Sequence, residues 1–173
     1  MTKPDDQNGR SAIRWLLLSG FIVISDQLSK LYIVENLVYR QRIEIMSMLD
    51  ITRLHNTGAA FSLLANVGGW QRWFFVALGL SVGLLILFWL IRLRVPQQRM
   101  LVVGLALILG GAIGNVIDRL VYGHVIDFIH VHYDKLYWPA FNVADSAITI
   151  GAVILIIDTI RDAKRSRASV PDS

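Results

Sequence analysis

The chain has 173 residues, 54% apolar and only 17% charged, a balance too apolar for a soluble domain of this length. Its net charge of +4 comes from basic residues that border apolar stretches instead of lining one polar face, which speaks against nucleic acid and for anchoring to anionic lipid. The absence of cysteine excludes thiol catalysis, disulfides and thiolate metal sites.

Residues 1–12 form a polar tail, and the first apolar stretch covers 13–34. Arg10 and Arg14 ahead of it imitate a signal peptide, but no small-residue cleavage site follows. The helical pattern continues through Asp26-Gln27-Leu28-Ser29-Lys30, so a retained spanning helix is expected. Asp26 and Lys30 stand i, i+4 on one face, and an ion pair is the ordinary way a bilayer tolerates either charge. The link that follows, 35–69, is more than a tether. Arg42–Met46 and Leu49–His55 alternate polar and apolar, which predicts two short strands. Ala59–Ala65 reads as a short amphipathic helix at the membrane surface with Phe61, Leu64 and Ala65 on one face, and Trp70 and Trp73 as interfacial anchors. The whole link is expected to lie over the membrane as a cover.

The second and third apolar stretches, 70–91 and 100–117, carry Gly79/Gly83 and Gly110/Gly114, pairs whose spacing lets helix backbones approach in lipid. The third runs into Asn115, Asp118 and Arg119. Asn115 is deep enough to need a hydrogen-bond partner, whereas Asp118 and Arg119 either reach water at the helix end or turn inward. Gly123 breaks the helix, and Asp127 follows in a short apolar, strand-like stretch. The fourth stretch, 138–157, contains Asn142 and Asp145, three apart and so on one helix face. A carboxylate inside such a span costs ~2.5–3.5 kcal/mol on insertion scales, which makes Asp145 a functional-site candidate by default. The tail 165–173 is polar, and without an internal repeat residues 1–173 read as a single integral-membrane domain.

Orientation follows from the basic residues. Of the 17, ten (Lys3, Arg10, Arg14, Arg92, Arg94, Arg99, Arg161, Lys164, Arg165, Arg167) lie on one side, six (Arg40, Arg42, Arg53, Arg72, Arg119, Lys135) on the other, and Lys30 within the membrane. The positive-inside rule then makes both termini cytoplasmic and sets Asp127 and Asp145 near the outer surface. The expected architecture is an all-α membrane protein of four transmembrane helices, with a small outer-face strand cradle and a short interfacial helix.

Two carboxylates at one membrane depth can share a proton: one takes a proton from water while the other, protonated, polarises a scissile carbonyl. Asparagines beside them can steady the carboxylates or hold a substrate backbone. The blander alternative pairs Asp145 with Arg119. A metal site is disfavoured, since His55, His124, His130 and His132 lie in outer links without a His-Glu-x-x-His pattern. Gly79-Leu80-Ser81-Val82-Gly83 spells Gly-x-Ser-x-Gly inside an apolar stretch and not at a strand-to-helix turn, so the serine-hydrolase elbow is missing, and phosphate-cradling loops are absent. On the residues alone an aspartic protease leads. Two alternatives stay open: a proton-relay transporter using Asp26, Lys30, Asp118, Arg119 and Asp145, and a structural or assembly subunit.

The blocks Asp26–Lys30, His55-Asn56-Thr57-Gly58-Ala59-Ala60-Phe61, Gly111–Arg119, Gly123–Phe128 and Phe141–Ser146 together resemble the bacterial lipoprotein signal peptidases, the signal peptidase II family. The resemblance covers nearly the whole chain, with no departure at the positions that matter. It implies an aspartic endopeptidase of the bacterial inner membrane that works without cofactor or metal. Such an enzyme removes signal peptides from diacylglyceryl-modified prolipoproteins, cutting before the lipidated cysteine near the outer, periplasmic surface. The resemblance further implies Asp127 and Asp145 as the catalytic dyad. Asn56, Asn115, Arg119 and Asn142 would contact the substrate or the inhibitor globomycin, and Asp26, Lys30 and Asp118 would be supporting polar residues. One chain supplies every residue named, so a monomer suffices, and substrate is expected to enter sideways from the lipid.

Overall fold

A computed structural model describes residues 7–58, 69–93, 98–134 and 136–168, with side chains from 14 to 165 within those segments. The short helix expected over Ala59–Ala65, with Phe61 and Leu64, lies outside the described residues, as do the side chains of Lys3, Arg10, Arg94, Lys135 and Arg167. In chain order the elements are α1 (Gln7–Asn36), β1 (Arg42–Met46), β2 (Leu49–Asn56), α2 (Gln71–Arg92), α3 (Arg99–Val121), β3 (Val125–Tyr133), β4 (Leu136–Tyr137) and α4 (Val143–Ala168).

Among the described residues, four helices are long and apolar enough to cross a membrane, over Arg14–Asn36, Gln71–Arg92, Arg99–Val121 and Val143–Arg165. Their ends differ from those expected, most at the start of α1, the end of α3 and both ends of α4. α1 and α4 run into the polar stretches read as tails, and in α4 Arg161, Ala163, Lys164 and Arg165 are good helix formers even in water. α3 continues past Ile117 to Val121. Its last turn closes with the Tyr122 N–H on Asp118 O at 2.7 Å, and Gly123 then takes a left-handed φ of 80° that ends the helix. α4 begins at Val143, not at Trp138, because Pro139 disfavours helix just before it and Phe141 instead bridges to Ile129 of β3.

α3 is the hub, packed against α1, α2 and α4. Glycines set how closely. A Cβ added at Gly110 would stand 2.8 Å from Ser19 O on α1, and at Gly114 2.6 Å from Asp26 Oδ2. At Gly111 it would collide with the backbone of Ala144 on α4. From α2, Gly79 fits tightly against Val116, whereas Gly83 makes only ordinary contact with Leu109. Toward the carboxyl-terminal end of α2 and the start of α3, Ile86, Leu90 and Leu93 pack on Val102, Leu105 and Leu109 as a plain apolar core.

The two strands expected from alternation are present, and β3 and β4 join them in one antiparallel sheet of order β1-β2-β3-β4. Leu54 pairs with Asp127 and Asn56 with Val125, after a register shift between Ile51 and Leu54. A second core of Ile33, Leu37, Ile126 and Phe128 seats the sheet on the end of α1. Arg53 of β2 reinforces this, its Nη1 donating to the carbonyls of Val34 and Leu37 at 3.1 and 3.0 Å, where the helix leaves acceptors unpaired. The carboxyl-terminal ends of α1 and α3, the start of α4 and the adjoining ends of β2 and β3 thus meet at one level.

Candidate active site

The first turn of α4 has backbone N–H groups without helical partners. Asn142, just ahead of the helix, takes one of them, its Oδ1 accepting from the Asp145 N–H at 2.8 Å. Asp26 of α1 takes another, its Oδ1 accepting from the Ala144 N–H at 2.9 Å. Asn142 is therefore a helix cap and does not share a helical face with Asp145, as the spacing had suggested. Asp145 sits in the first turn, where the helix dipole and free N–H groups suit a carboxylate, and not well inside a span. Its cost is correspondingly smaller than that expected for a mid-membrane charge.

The asparagines converge on the two aspartates. Asp127, 3% exposed on β3, accepts from Asn142 Nδ2 at 2.8 Å on Oδ1 and from Asn56 Nδ2 at 3.0 Å on Oδ2. Asp145 Oδ1 accepts from Asn115 Nδ2 at 2.8 Å. Asn142 also leans on Asn115, Nδ2 to Oδ1 at 3.4 Å, so one amide network touches both carboxyls. Burial pushes the Asp127 carboxyl up to about 7, and neighbouring Asp145 adds to the rise. The amides of Asn56 and Asn142 and the charge of Lys30 pull the other way.

Asp118 turns inward. It is fully buried and lies 2.9 Å from Lys30 Nζ, which is also 2.7 Å from Asp26. Arg119 is buried as well, its Nη2 donating to Gly58 O at 2.9 Å and Nη1 to Asn115 O at 3.3 Å, with its guanidinium 4.9 Å from the Phe75 ring centroid. Among the described residues no ion pair joins Arg119 to Asp145, so the alternative of a simple Asp145–Arg119 pair is not the arrangement found. Arg119 instead ties the segment after β2 to α3.

Gln27, to which the sequence pattern alone assigns no role, joins the same network. Its Nε2 donates to Asp118 Oδ1 at 2.9 Å, to Gly114 O at 3.2 Å and to Asp26 Oδ2 at 3.2 Å. The signal was available: an amide inside a spanning stretch needs partners, and Gln27 adjoins Asp26. The histidines go elsewhere. His55 stacks on His124 at 3.8 Å and on Tyr39 at 4.3 Å, while His130 and His132 share a strand face and both stack on Tyr137. Burial, then His124 and Arg53, push His55 down to about 4. On the same sheet face, buried Asp50 is held by Arg42 at 2.6 Å and His132 at 3.2 Å, a cluster that reading the residues did not find.

Comparison with known proteins bears on this geometry. A family model described as signal peptidase (SPase) II matches residues 18–161. The lipoprotein signal peptidase of Burkholderia thailandensis is 47% identical over 160 residues, 92% of this chain and 95% of that protein. That of Cupriavidus necator is 45% identical over 167 residues, 94% of each. A bacterial membrane enzyme solved by the in meso method at 2.3 Å resolution superposes with a TM-score of 0.80 at 29% identity, covering 92% of this chain and 94% of that one.

Proposed function

The chain belongs to the signal peptidase II family and removes signal peptides from prolipoproteins; on that premise we propose that it does so as an aspartic endopeptidase with Asp127 and Asp145 as its dyad. The observation that carries the reading is a pair of carboxyls tied into one asparagine network, one of them with its proton affinity raised to about 7. Two such groups hold one proton between them near neutral pH. Asp127, the deeply buried partner, is the better holder of that proton and Asp145 the base. Asp145 takes a proton from water as the water oxygen attacks the scissile carbonyl, and Asp127 donates to the carbonyl oxygen. Collapse of the tetrahedral species returns a proton to the leaving amine and restores the pair.

Asn56, Asn115, Asn142 and Arg119 border the dyad and supply donors and acceptors to an extended substrate backbone, and globomycin would compete for them. The preferred substrate bears a diacylglyceryl group on the cysteine after the cut, which keeps the scissile bond near the membrane surface. The ten-to-six distribution of basic residues supports cytoplasmic termini and a periplasm-facing site in the inner membrane. Apolar residues left exposed along α2 and α4, among them Leu84, Leu85, Ile150 and Ile156, favour a lipid-facing surface through which the signal helix enters sideways. One chain holds the whole constellation, so a monomer is expected to be active.

The test is cleavage of a diacylglyceryl-modified prolipoprotein by the purified protein in nanodiscs, followed by gel shift. Asp127→Asn and Asp145→Asn should each lower the rate about 10²–10⁴-fold. Wild-type cleavage by either folded variant would reject the dyad.

A further inference from the structure

Each of the two aspartates follows a residue whose backbone N–H is held by a buried carboxylate. The Ala144 N–H, one position before Asp145, donates to Asp26 Oδ1 at 2.9 Å. The Ile126 N–H, one position before Asp127, donates to Asp118 Oδ2 at 3.0 Å. These clamps come from different helices, α1 and α3, yet both end on one ammonium. Lys30 Nζ lies 2.7 Å from Asp26 Oδ2 and 2.9 Å from Asp118 Oδ2. It also donates to Asn115 Oδ1 at 3.2 Å, the amide whose other end holds Asp145. An ammonium has three donors, and all three point into this assembly. Gln27 spans the carboxylates as a crossbar, touching Asp118 Oδ1 and Asp26 Oδ2. Asp26 and Asp118 are 0% exposed and Lys30 1%, so water does not loosen the contacts.

Tolerating a charge in the membrane would need only the Asp26–Lys30 pair on one helix. The second carboxylate leaves the cluster one negative charge in excess, an expensive addition in a buried place. What it adds is a grip on the strand that carries Asp127. We propose that Lys30 is a positioning residue that yokes the two clamps, fixing the strand before Asp127 to the helix start before Asp145 and so setting the spacing of the dyad. This rests on the dyad reading above. Lys30 also acts on Asp127 through its charge, alongside Asp145 from α4 and Arg119 from α3, while Asn56 of β2 is neutral.

The experiment measures kcat and KM against pH for Lys30→Met and for the charge-balanced Lys30→Met/Asp118→Asn, with the lipidated prolipoprotein in nanodiscs. Ser19→Ala serves as the control, since it removes a buried α1–α3 hydrogen bond of 2.8 Å to Ala106 O. A displacement of the dyad by about 1 Å should cost on the order of 100-fold in kcat while KM barely moves. In Lys30→Met the pH optimum should also rise, because the cation no longer opposes the upward push on Asp127. Ser19→Ala should lower the melting midpoint and leave the optimum where it was. A folded Lys30→Met with wild-type kcat and optimum would overturn the proposal. If that variant does not fold, the double variant decides: wild-type kcat overturns the yoke, and lost kcat with KM retained supports it. Failure of the dyad itself registers separately, as cleavage by Asp127→Asn.

Discussion

Replacing Asp127 by asparagine should change stability in a way that depends on pH, and the size follows from the burial of this one group. The unfolded carboxyl titrates at the usual 3.8 and the folded one at about 7, so the folded protein binds the extra proton between those values. A folded pKa raised in this way contributes stability that is fully present below 3.8 and is lost as pH rises through about 7. Between about pH 5 and about pH 8 the loss comes to roughly 3 kcal/mol, at about 1.4 kcal/mol per unit of separation. Asparagine at this position has no such dependence. It carries one acceptor oxygen where Asn56 and Asn142 both donate, so it leaves one donor facing an amide nitrogen, a fixed cost of about 1–3 kcal/mol. Asp127→Asn should therefore be clearly less stable than wild type near pH 5, and close to it or more stable near pH 8. Unfolding in detergent followed by circular dichroism across that range reads the difference. A gap between variant and wild type that stays constant with pH would mean Asp127 titrates as an ordinary carboxylate, and the argument that it holds the shared proton would fall.

Gly111→Ala should lower stability by about 1–3 kcal/mol, because its methyl meets the Ala144 backbone and Ile148 lies 2.7 Å away. Gly20→Ala, with nothing within 4 Å, should leave the melting midpoint unchanged or raise it, and equal losses in the two would refute the close-packing account of α3 against α4. His55 is held neutral, its folded pKa at about 4 against the usual 6.5, so its contribution to stability is lost as pH falls through that window. His55→Phe keeps a ring between Tyr39 and His124 and should reduce the loss of stability between those pH values. An acid melting profile identical to wild type would show that burial does not hold His55 neutral.

Much of the fold was legible because its signals are local. Four apolar runs long enough to span a bilayer announce helices wherever the chain is placed, and alternation over Arg42–Met46 and Leu49–His55 announces strands. The site blocks were legible for a related reason: Asn, Asp and Lys inside apolar runs are costly and stand out. Helix ends were less so. α3 stops where Gly123 adopts φ 80°, and the start of α4 waits on Asn142 and Asp26 to take its first N–H groups, the latter from 118 positions away.

By itself the sequence determined that this chain is a four-span membrane protein with paired carboxyls and asparagines in and beside its last two spans, because composition and period act on each segment alone. Only the tertiary structure decided that Asp118 faces Lys30 and not water, that Arg119 holds Gly58 in preference to Asp145, that Asn142 caps and also donates to Asp127, and that Gln27 braces two helices. A buried polar group takes whichever partner the packed backbone brings within reach, and glycines along α3 set that reach between residues far apart in the chain.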